Sequence, residues 1–315
     1  MRACFGATVR TAVLNDQGWL NLKWRMETDN GLVFVKYYHP DRYKLHVNSR
    51  RRKALEHALQ LQHGLSSAGV PCPDIFLFNG QCMQETPSGL CYAVSDWLDG
   101  RTVEAGSMNE NQMYELGMAT GHMHKWLQRI APLDRPAWVP DKEAYMKEWQ
   151  ENWEKAQEAE DHLVIGWLER SRSIVDSLDF TMFAASPTGW LHWDLWVDNV
   201  LLHESGLVGI VDFDRMAMGY PEVDVARAIL SGALRDGKLC SATAAAFMNG
   251  YRQYVQLDQS VLDRAMRMLY LIESIWWLRT EVRVESGLRG LLGRFVEEMH
   301  WIEDHWKVLP ELLRL

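Results

Sequence analysis

The segment at residues 190–202 sets oxygen-bearing side chains between apolar stretches. It holds Asp194 and Asn199 in a polar loop, and a second apolar stretch at 208–211 ends at Asp212. A tight loop would bring Asp194 and Asn199 close together, and a returning strand would add Asp212. Phosphoryl transfer needs such a set: a carboxylate that orients the attacking hydroxyl, and oxygen ligands that hold Mg²⁺ on nucleotide phosphates. Each residue alone is a common turn former, so the prediction rests on the joint pattern.

Three further polar residues lie beside this set. Asp214 follows Asp212 by two positions, and we expect it either to touch a second metal ion or to cap the next turn. Asp198 is expected to be a solvated loop acid. His192 is expected to make structural hydrogen bonds rather than to transfer protons, because the nearby Asp194 already fits the position of a base.

A lysine in the N-terminal part offers an independent test. Lys36 lies inside the apolar stretch 32–38, where a charge is costly to bury unless it is paired. Glu56 is the only acid between Asp41 and Asp74. Two interpretations stay open: Glu56 pairs locally with Arg52 or its neighbour Lys53, one turn away on a helix, or it pairs with Lys36. In the second case Lys36 would hold the α- and β-phosphates of a nucleotide.

The order of these motifs resembles the aminoglycoside phosphotransferase and choline kinase family. The chain has His-x-Asp-x-x-x-x-Asn at 192–199, Asp-Phe-Asp at 212–214 and Gly-x-x-x-x-Asp-x-Ala at 219–226. The resemblance covers roughly residues 18–226, and its specific motifs lie at 192–226. It implies an α+β, bilobal, protein-kinase-like fold with a small N-terminal antiparallel sheet plus helix and a larger, mainly helical C-terminal lobe.

The resemblance also implies roles for single residues. Asp194 would be the catalytic base, Asn199 and Asp212 would be metal ligands, and Asp224 would brace the catalytic loop. The order of strand lysine, helix glutamate and a Gly-x-Pro-x-Pro-like stretch at 69–73 is similar to the family and implies nucleotide binding by the lysine and glutamate named above.

Weaker family features concern the nucleotide. Gly18 lies in a stretch similar to the family's loop over the phosphates, although no G-x-G-x-x-G or Walker A sequence is present. The stretch 92–100 looks like the family's hinge, which implies adenine contacts at Ser95, Trp97 and Leu98.

Two tryptophans depart from the family pattern. Trp193 stands where these enzymes commonly have Gly, and Trp196 stands where they often have His. Trp193 would either fill the substrate cleft or pack inward. The departure therefore affects the expected shape of the substrate rather than the expected chemistry.

The elements that must position these residues can be predicted from periodicity. Stretches 20–27 and 32–38 flank an Asn-Gly turn and predict a hairpin, with a helix at 48–65 and strands at 75–79 and 90–97. A capping box at 107–110 begins a helix that presents Met113, Leu116, Met123 and other side chains on one face. Helices are also predicted at 141–161, 222–235, 241–256, 260–282 and 287–307. We expect a nucleotide-clamping lobe at 1–100 and a catalytic, substrate-binding lobe at 101–315.

Composition limits the remaining function classes. The 315 residues include 33 Lys or Arg and 42 Asp or Glu, a net charge of −9, which disfavours a nucleic-acid binder. The five cysteines form no CxxC pair, so reduced thiols are expected. Neither a signal peptide nor an 18-residue apolar run is recognisable, so a cytoplasmic protein is expected. The sequence is also rich in tryptophan, with 15 residues.

We therefore predict an ATP- and Mg²⁺-dependent kinase that acts on a hydroxyl of a small molecule, with GTP also open as donor. Few residues separate Asp214 from Pro221, which disfavours a platform for protein substrates. Acids at 141–161 and 297–304, with nearby tryptophans, favour a cationic acceptor of amino-sugar, antibiotic or amino-alcohol type. The other interpretation is that the acids form a solvated helix face and the tryptophans pack in the core. The alternatives are a catalytically silent nucleotide-binding regulatory module and an atypical protein kinase. A monomer or a homodimer is expected.

Overall fold

An antiparallel sheet forms the N-terminal part of the computed structural model, which describes residues 2–15, 22–132, 135–258, 260–285 and 289–314. Its strands are β1 (Val9–Asn15), β2 (Leu22–Thr28), β3 (Gly31–Tyr37), β4 (Met83–Glu85) and β5 (Cys91–Asp96), in the spatial order β1-β2-β3-β5-β4. The predicted hairpin is confirmed as β2–β3, and Gly31 after its turn has a φ of 116° that favours glycine.

Helices cover this sheet. The short helices α1 (Arg2–Phe5) and α2 (Pro40–Tyr43) precede α3 (Ser49–Ser67), which begins where the Asn48 side chain accepts a hydrogen bond from the backbone N–H of Arg51 (2.9 Å). Leu55 and Leu59 of α3 pack with Tyr38 and Ile75 in a buried cluster. The predicted strand at 75–79 is wrong as a continuous element, because only isolated bridges form there before a tight turn at residues 79–80.

A later hairpin packs with this N-terminal part. Its strands are β7 (Val200–His203) and β8 (Gly206–Ile210). Gly209 permits the approach, because a Cβ atom there would lie 2.8 Å from Cδ1 of Leu98 and 3.0 Å from the carbonyl oxygen of Pro71. The contacts thus divide the chain into a first unit, Met1–Thr102 with Asp198–Ala217, and a second unit, Val103–Val197 with Met218–Leu315. The division expected from sequence assigned residues 198–217 to the second lobe.

The second unit is mainly helical. Before residue 192 it contains α4 (Glu110–Leu127), α5 (Lys142–Glu158), α6 (His162–Asp176) and β6 (Gly189–Leu191). Strand β9 (Ala217–Gly219) begins at the last residue of the first unit. After it come α7 (Glu222–Ala233), the hairpin β10 (Leu234–Arg235) and β11 (Lys238–Leu239), α8 (Ser241–Tyr251), α9 (Val261–Trp277), α10 (Thr280–Val284), α11 (Arg289–His305) and α12 (Leu309–Leu312).

The predicted apolar face of α4 is confirmed, since Met113, Leu116 and Met123 are buried. Its predicted start is wrong by two residues, because the capping box is formed by Asn109 and Gln112. The side-chain oxygen of each accepts a hydrogen bond from the backbone N–H of the other. None of the described helices is long and apolar enough to cross a membrane.

Candidate active site

Lys36 and two aspartates form a buried ionic cluster in the first unit. The Lys36 Nζ atom lies 2.6 Å from Oδ1 of Asp212 and 2.8 Å from Oδ2 of Asp214. Lys36 comes from β3, and both aspartates follow β8. Burial favours the neutral amine, but the two carboxylates outweigh it and raise the pKa of Lys36. The lysine therefore stays charged and draws both carboxylates to one point.

Further side chains hold the two aspartates. The Asp214 carboxylate accepts hydrogen bonds from the hydroxyls of Tyr43 (2.9 Å) and Tyr38 (3.4 Å), while Lys23 Nζ lies 3.7 Å from Oδ2 of Asp212. Burial, followed by the charge of Asp214, raises the pKa of Tyr38 well above its ordinary value, so this hydroxyl remains a donor. Asp214 is thus fixed on several sides, whereas the side chain of Asp212 is 29% exposed.

Of the two interpretations of Glu56, the structure contradicts the pair with Lys36 and confirms the local pair on α3. Glu56 Oε1 instead accepts from Nε of Arg52, one turn earlier on α3, at 3.1 Å. The local pair forms because Arg52 is held on the same helix face, and the charge of Lys36 is already balanced by aspartates. A contact between Glu56 and a nucleotide stays a prediction.

Asn199 and Asp212 are tied to each other through the backbone of their hairpin. The Asn199 carbonyl accepts from the N–H of Val211 (2.9 Å), immediately before Asp212, and the Asn199 residue is buried. Asp212 has a left-handed φ of 66°, a strained conformation for a non-glycine residue. Amide and carboxylate oxygens are the ligands that Mg²⁺ prefers, so the side-chain types of Asn199 and Asp212 suit a divalent metal, and metal binding by this pair stays a prediction.

The predicted hinge, residues 92–100, begins inside β5 and continues past the end of that strand. Ser95 is buried, and in the antiparallel ladder of β3 and β5 it lies opposite Phe34, two residues before Lys36 on β3. The Trp97 ring lies 6.3 Å from that of Phe34, and Leu98 packs near Gly209 as described above. Adenine binding by Ser95, Trp97 and Leu98 stays a prediction. Gly18 lies outside the described residues.

In the second unit, Asp224 of α7 fixes the backbone of the loop that carries Asp194, residues 192–197. Its carboxylate accepts from the N–H groups of His192 (2.7 Å) and Trp193 (2.9 Å) and contacts Nε2 of His124 (3.1 Å). The expected bracing by Asp224 is therefore confirmed. His124 of α4 also contacts the Tyr251 hydroxyl (2.9 Å), and burial followed by the charge of Asp224 raises the pKa of that hydroxyl.

The backbone on each side of Asp194 is fixed as well. His192 is fully buried, and its Nδ1 accepts from the Asp194 N–H at 3.3 Å, which is the structural contact expected for it. The Asp194 carbonyl accepts from the N–H of Trp196 at 3.1 Å. The half-buried side chain of Asp194 thus projects from a backbone with few conformations open to it.

Trp193 packs inward against a glycine. Its φ of 67° is left-handed, the region in which glycine costs least, and a Cβ atom on Gly219 would lie 2.4 Å from Cζ2 of its indole. Of the two positions foreseen for Trp193, the structure therefore has the inward one.

Sequence reasoning missed several supporting residues. His124, Tyr251 and Ser231 contact the loop or its brace, yet each belongs to a helix with an ordinary apolar pattern. A histidine on the buried face of α4 was the one available signal. Of the two interpretations of the tryptophans in the second unit, core packing holds for Trp149, Trp277, Trp301 and Trp306, which are buried, whereas Trp276 is 52% exposed.

Residues 11–265 match the phosphotransferase enzyme family. The chain belongs to this family. The match spans Lys36, the loop at 192–199 and the Asp212–Asp214 turn, and it confirms the phosphotransferase class predicted from the 192–226 motifs.

Known proteins agree with this assignment. The chain is 28% identical over 210 residues to a homoserine kinase of Rhodopseudomonas palustris, covering 66% of this chain but only 62% of that protein. An amicoumacin kinase, solved with AMP-PNP, Ca²⁺ and Ami, is 16% identical with a TM-score of 0.63 over 93% of this chain and 88% of its own. A choline kinase from Cryptosporidium parvum is 15% identical with a TM-score of 0.59, over 94% and 90%. These structures confirm the predicted kinase-like fold.

Proposed function

We propose that this chain transfers the γ-phosphoryl group of ATP to a hydroxyl of a small amino-alcohol-type molecule, a class that includes amino sugars and hydroxy amino acids. The observation that carries the proposal is the convergence of Asp212 and Asp214 on Lys36, within 2.8 Å, in a chain of a phosphotransferase family. Relatives and fold neighbours named as homoserine, choline and amicoumacin kinases support this acceptor class.

Each proposed role follows from a position in the fold. Asp194 would accept the proton of the acceptor hydroxyl, because its backbone is fixed on both sides and its carboxylate is half-buried. Lys36 would bind nucleotide phosphates, its charge maintained by the aspartates. Asn199 and Asp212 would hold Mg²⁺, with Asp214 as an accessory ligand. When bound, the metal ion neutralises charge on the phosphate oxygens.

The test is ADP release from Mg-ATP with a panel of acceptors: homoserine, choline, 1-amino-2-propanol, an aminoglycoside and a peptide. We expect one amino-alcohol to stimulate turnover, and Asp194→Asn to reduce kcat by at least about 10³-fold, as expected for loss of a positioned base together with its orienting role. Asp198→Asn is the matched control, because this exposed acid lies in the same loop and should leave kcat within about twofold.

Other outcomes decide against the proposal. Turnover that is stimulated only by the peptide would favour an atypical protein kinase. A rise in Tm with Mg-ATP but no turnover with any acceptor would favour a regulatory nucleotide-binding module. Equal activity of Asp194→Asn and Asp198→Asn would remove Asp194 from the mechanism.

A further inference from the structure

Buried charged side chains connect three helices of the second unit. Arg227 of α7 donates to Glu298 of α11, and its Nη2 lies 2.9 Å from Oε1 of Glu273 on α9. Nε of Arg294, also on α11, lies 3.6 Å from Oε1 of the same Glu298. The side chains of Arg227, Glu298 and Arg294 are 5%, 3% and 13% exposed. Burying such a set is costly even when it is paired, so its retention calls for a reason besides stability.

This network reaches the catalytic loop through one serine and one tryptophan. The fully buried Ser231 of α7 accepts at its Oγ from the Val197 N–H (2.8 Å) and from Nη2 of Arg294. The Arg294 guanidinium also lies over the Trp196 ring, 4.7 Å from its centroid. Arg294 therefore contacts one loop residue directly and holds the next one through Ser231.

The contacts continue back to Asp194. The Trp196 N–H donates to the Asp194 carbonyl at 3.1 Å. The centroid of the Trp196 ring also lies 5.4 Å from that of Phe295, which stacks on Trp277 at 4.1 Å, so the indole packs against further aromatic side chains. Burial lowers the pKa of Arg227, but Glu273, Glu298 and, more weakly, Asp194 raise it, which indicates that the network lies within electrostatic reach of Asp194.

We propose that Arg294 is a positioning residue for phosphoryl transfer: through Ser231 and the Trp196 ring it fixes residues 195–197, so that the Asp194 carboxylate keeps one orientation toward the acceptor hydroxyl. Glu298 and Arg227 hold Arg294 in place for this task. The inference rests on the proposed function, in which Asp194 accepts the hydroxyl proton. Asp224 fixes the loop before Asp194, and Arg294 fixes it after.

The chain offers a closely matched control. Arg267 of α9 lies 4.3 Å from the centroid of the Trp306 ring, pairs with Asp263 four residues earlier at 2.7 Å and donates to the Trp306 carbonyl at 2.9 Å. Its side chain is 10% exposed. Arg267→Met therefore removes the same kinds of contact, at similar burial, from a site with other partners.

Hydrogen exchange tests the positioning without any acceptor. In Arg294→Met and Ser231→Ala we expect amides of the 192–199 peptide, that of Val197 above all, to exchange about 5- to 10-fold faster than in Arg267→Met, as expected from the loss of one buried hydrogen bond. Exchange rates equal to those of the control overturn the proposal.

Kinetics test the consequence for catalysis. With an acceptor found in the panel above, we expect Arg294→Met to lower kcat at least about 10-fold with KM for ATP within about twofold, since misplacement of a base affects the reaction step. Arg294→Lys should recover part of kcat. An unchanged kcat, or a fall shared by Arg267→Met, overturns the proposal. If Asp194→Asn has no effect, the proposed function fails by itself, and the exchange data still decide whether Arg294 fixes the loop.

Discussion

A double-mutant cycle at Trp193 and Gly219 tests how the catalytic loop is packed. A Cβ atom on Gly219 would lie 2.4 Å from Cζ2 of Trp193 and 2.9 Å from Cδ2 of Leu191. Carbon atoms in contact are normally about 3.5–4.0 Å apart, so Gly219→Ala overpacks the site and should lower the free energy of unfolding by about 1–3 kcal/mol.

Trp193→Gly has two opposing effects. Glycine relieves the left-handed φ of 67°, which costs other residues about 1–2 kcal/mol. The same substitution loses the packing of a half-buried indole, which contributes a free energy of similar size. The free energy of unfolding should therefore change by no more than about 1 kcal/mol. In this background the nearest remaining neighbour of the new methyl group of Gly219→Ala is the end of a flexible side chain, that of Leu191. We therefore expect a favourable coupling of about 1–2 kcal/mol between the two changes.

Urea unfolding of the wild type, both single variants and the double variant measures this coupling. Gly166→Ala is the control, because a Cβ atom on Gly166 in α6 has no neighbour within 4 Å. Its effect should add to that of Trp193→Gly. Additivity of Trp193→Gly and Gly219→Ala, within about 0.5 kcal/mol, would refute the inward packing of the indole against Gly219.

Three further outcomes are expected from charged and thiol groups. Lys36→Met removes the cation that two carboxylates contact within 2.8 Å and should lower the free energy of unfolding by about 3 kcal/mol. Lys23 lies 3.7 Å from the Asp212 carboxylate, and Lys23→Met should cost under about 1 kcal/mol in the same urea titration. Burial raises the pKa of Glu303 from 4.5 to about 7, so its ionisation destabilises the fold as the pH rises between these values. Glu303→Gln should therefore gain up to about 3 kcal/mol relative to the wild type between pH 4.5 and 8, and a pH-independent difference in urea midpoints would contradict this. The Thr243 hydroxyl lowers the pKa of the exposed Cys240 thiol, and burial raises the pKa of the Cys72 thiol to about 12. Iodoacetamide should therefore alkylate Cys240 first and Cys72 only after unfolding, as mass spectrometry would show.

Helices and strands are predicted well from the sequence where residues inside or next to the element fix its ends. The Asn-Gly pair at residues 30–31 specifies the β2–β3 turn, and Asn48 begins α3 with its own side chain. The start of α4 is ambiguous for a physical reason. Ser107 with Glu110 and Asn109 with Gln112 both satisfy the spacing of a capping box, and only the packed helix selects the second.

Partners that are distant in the sequence cannot be predicted in this way. In the sequence Glu56 is the nearby acid that could pair with Lys36. The carboxylate that Lys36 contacts at 2.6 Å belongs to Asp212, 176 residues further along the chain. The brace of the catalytic loop has the same character, since Asp224 was expected from the family motif whereas His124 and Ser231 depend on how α4 and α7 pack. The motif thus predicts the residues of the loop, and tertiary packing supplies the groups that hold it.

The division of the chain has a consequence for folding during synthesis. The first unit needs residues 198–217 as well as 1–102, so it cannot be completed while the ribosome is still translating the intervening 95 residues, Val103–Val197. Until then Lys36 has no counter-charge and cannot be buried at low cost. We expect a fragment that ends near residue 102 to form an open, protease-sensitive sheet, whose interior closes only when Asp212 and Asp214 emerge.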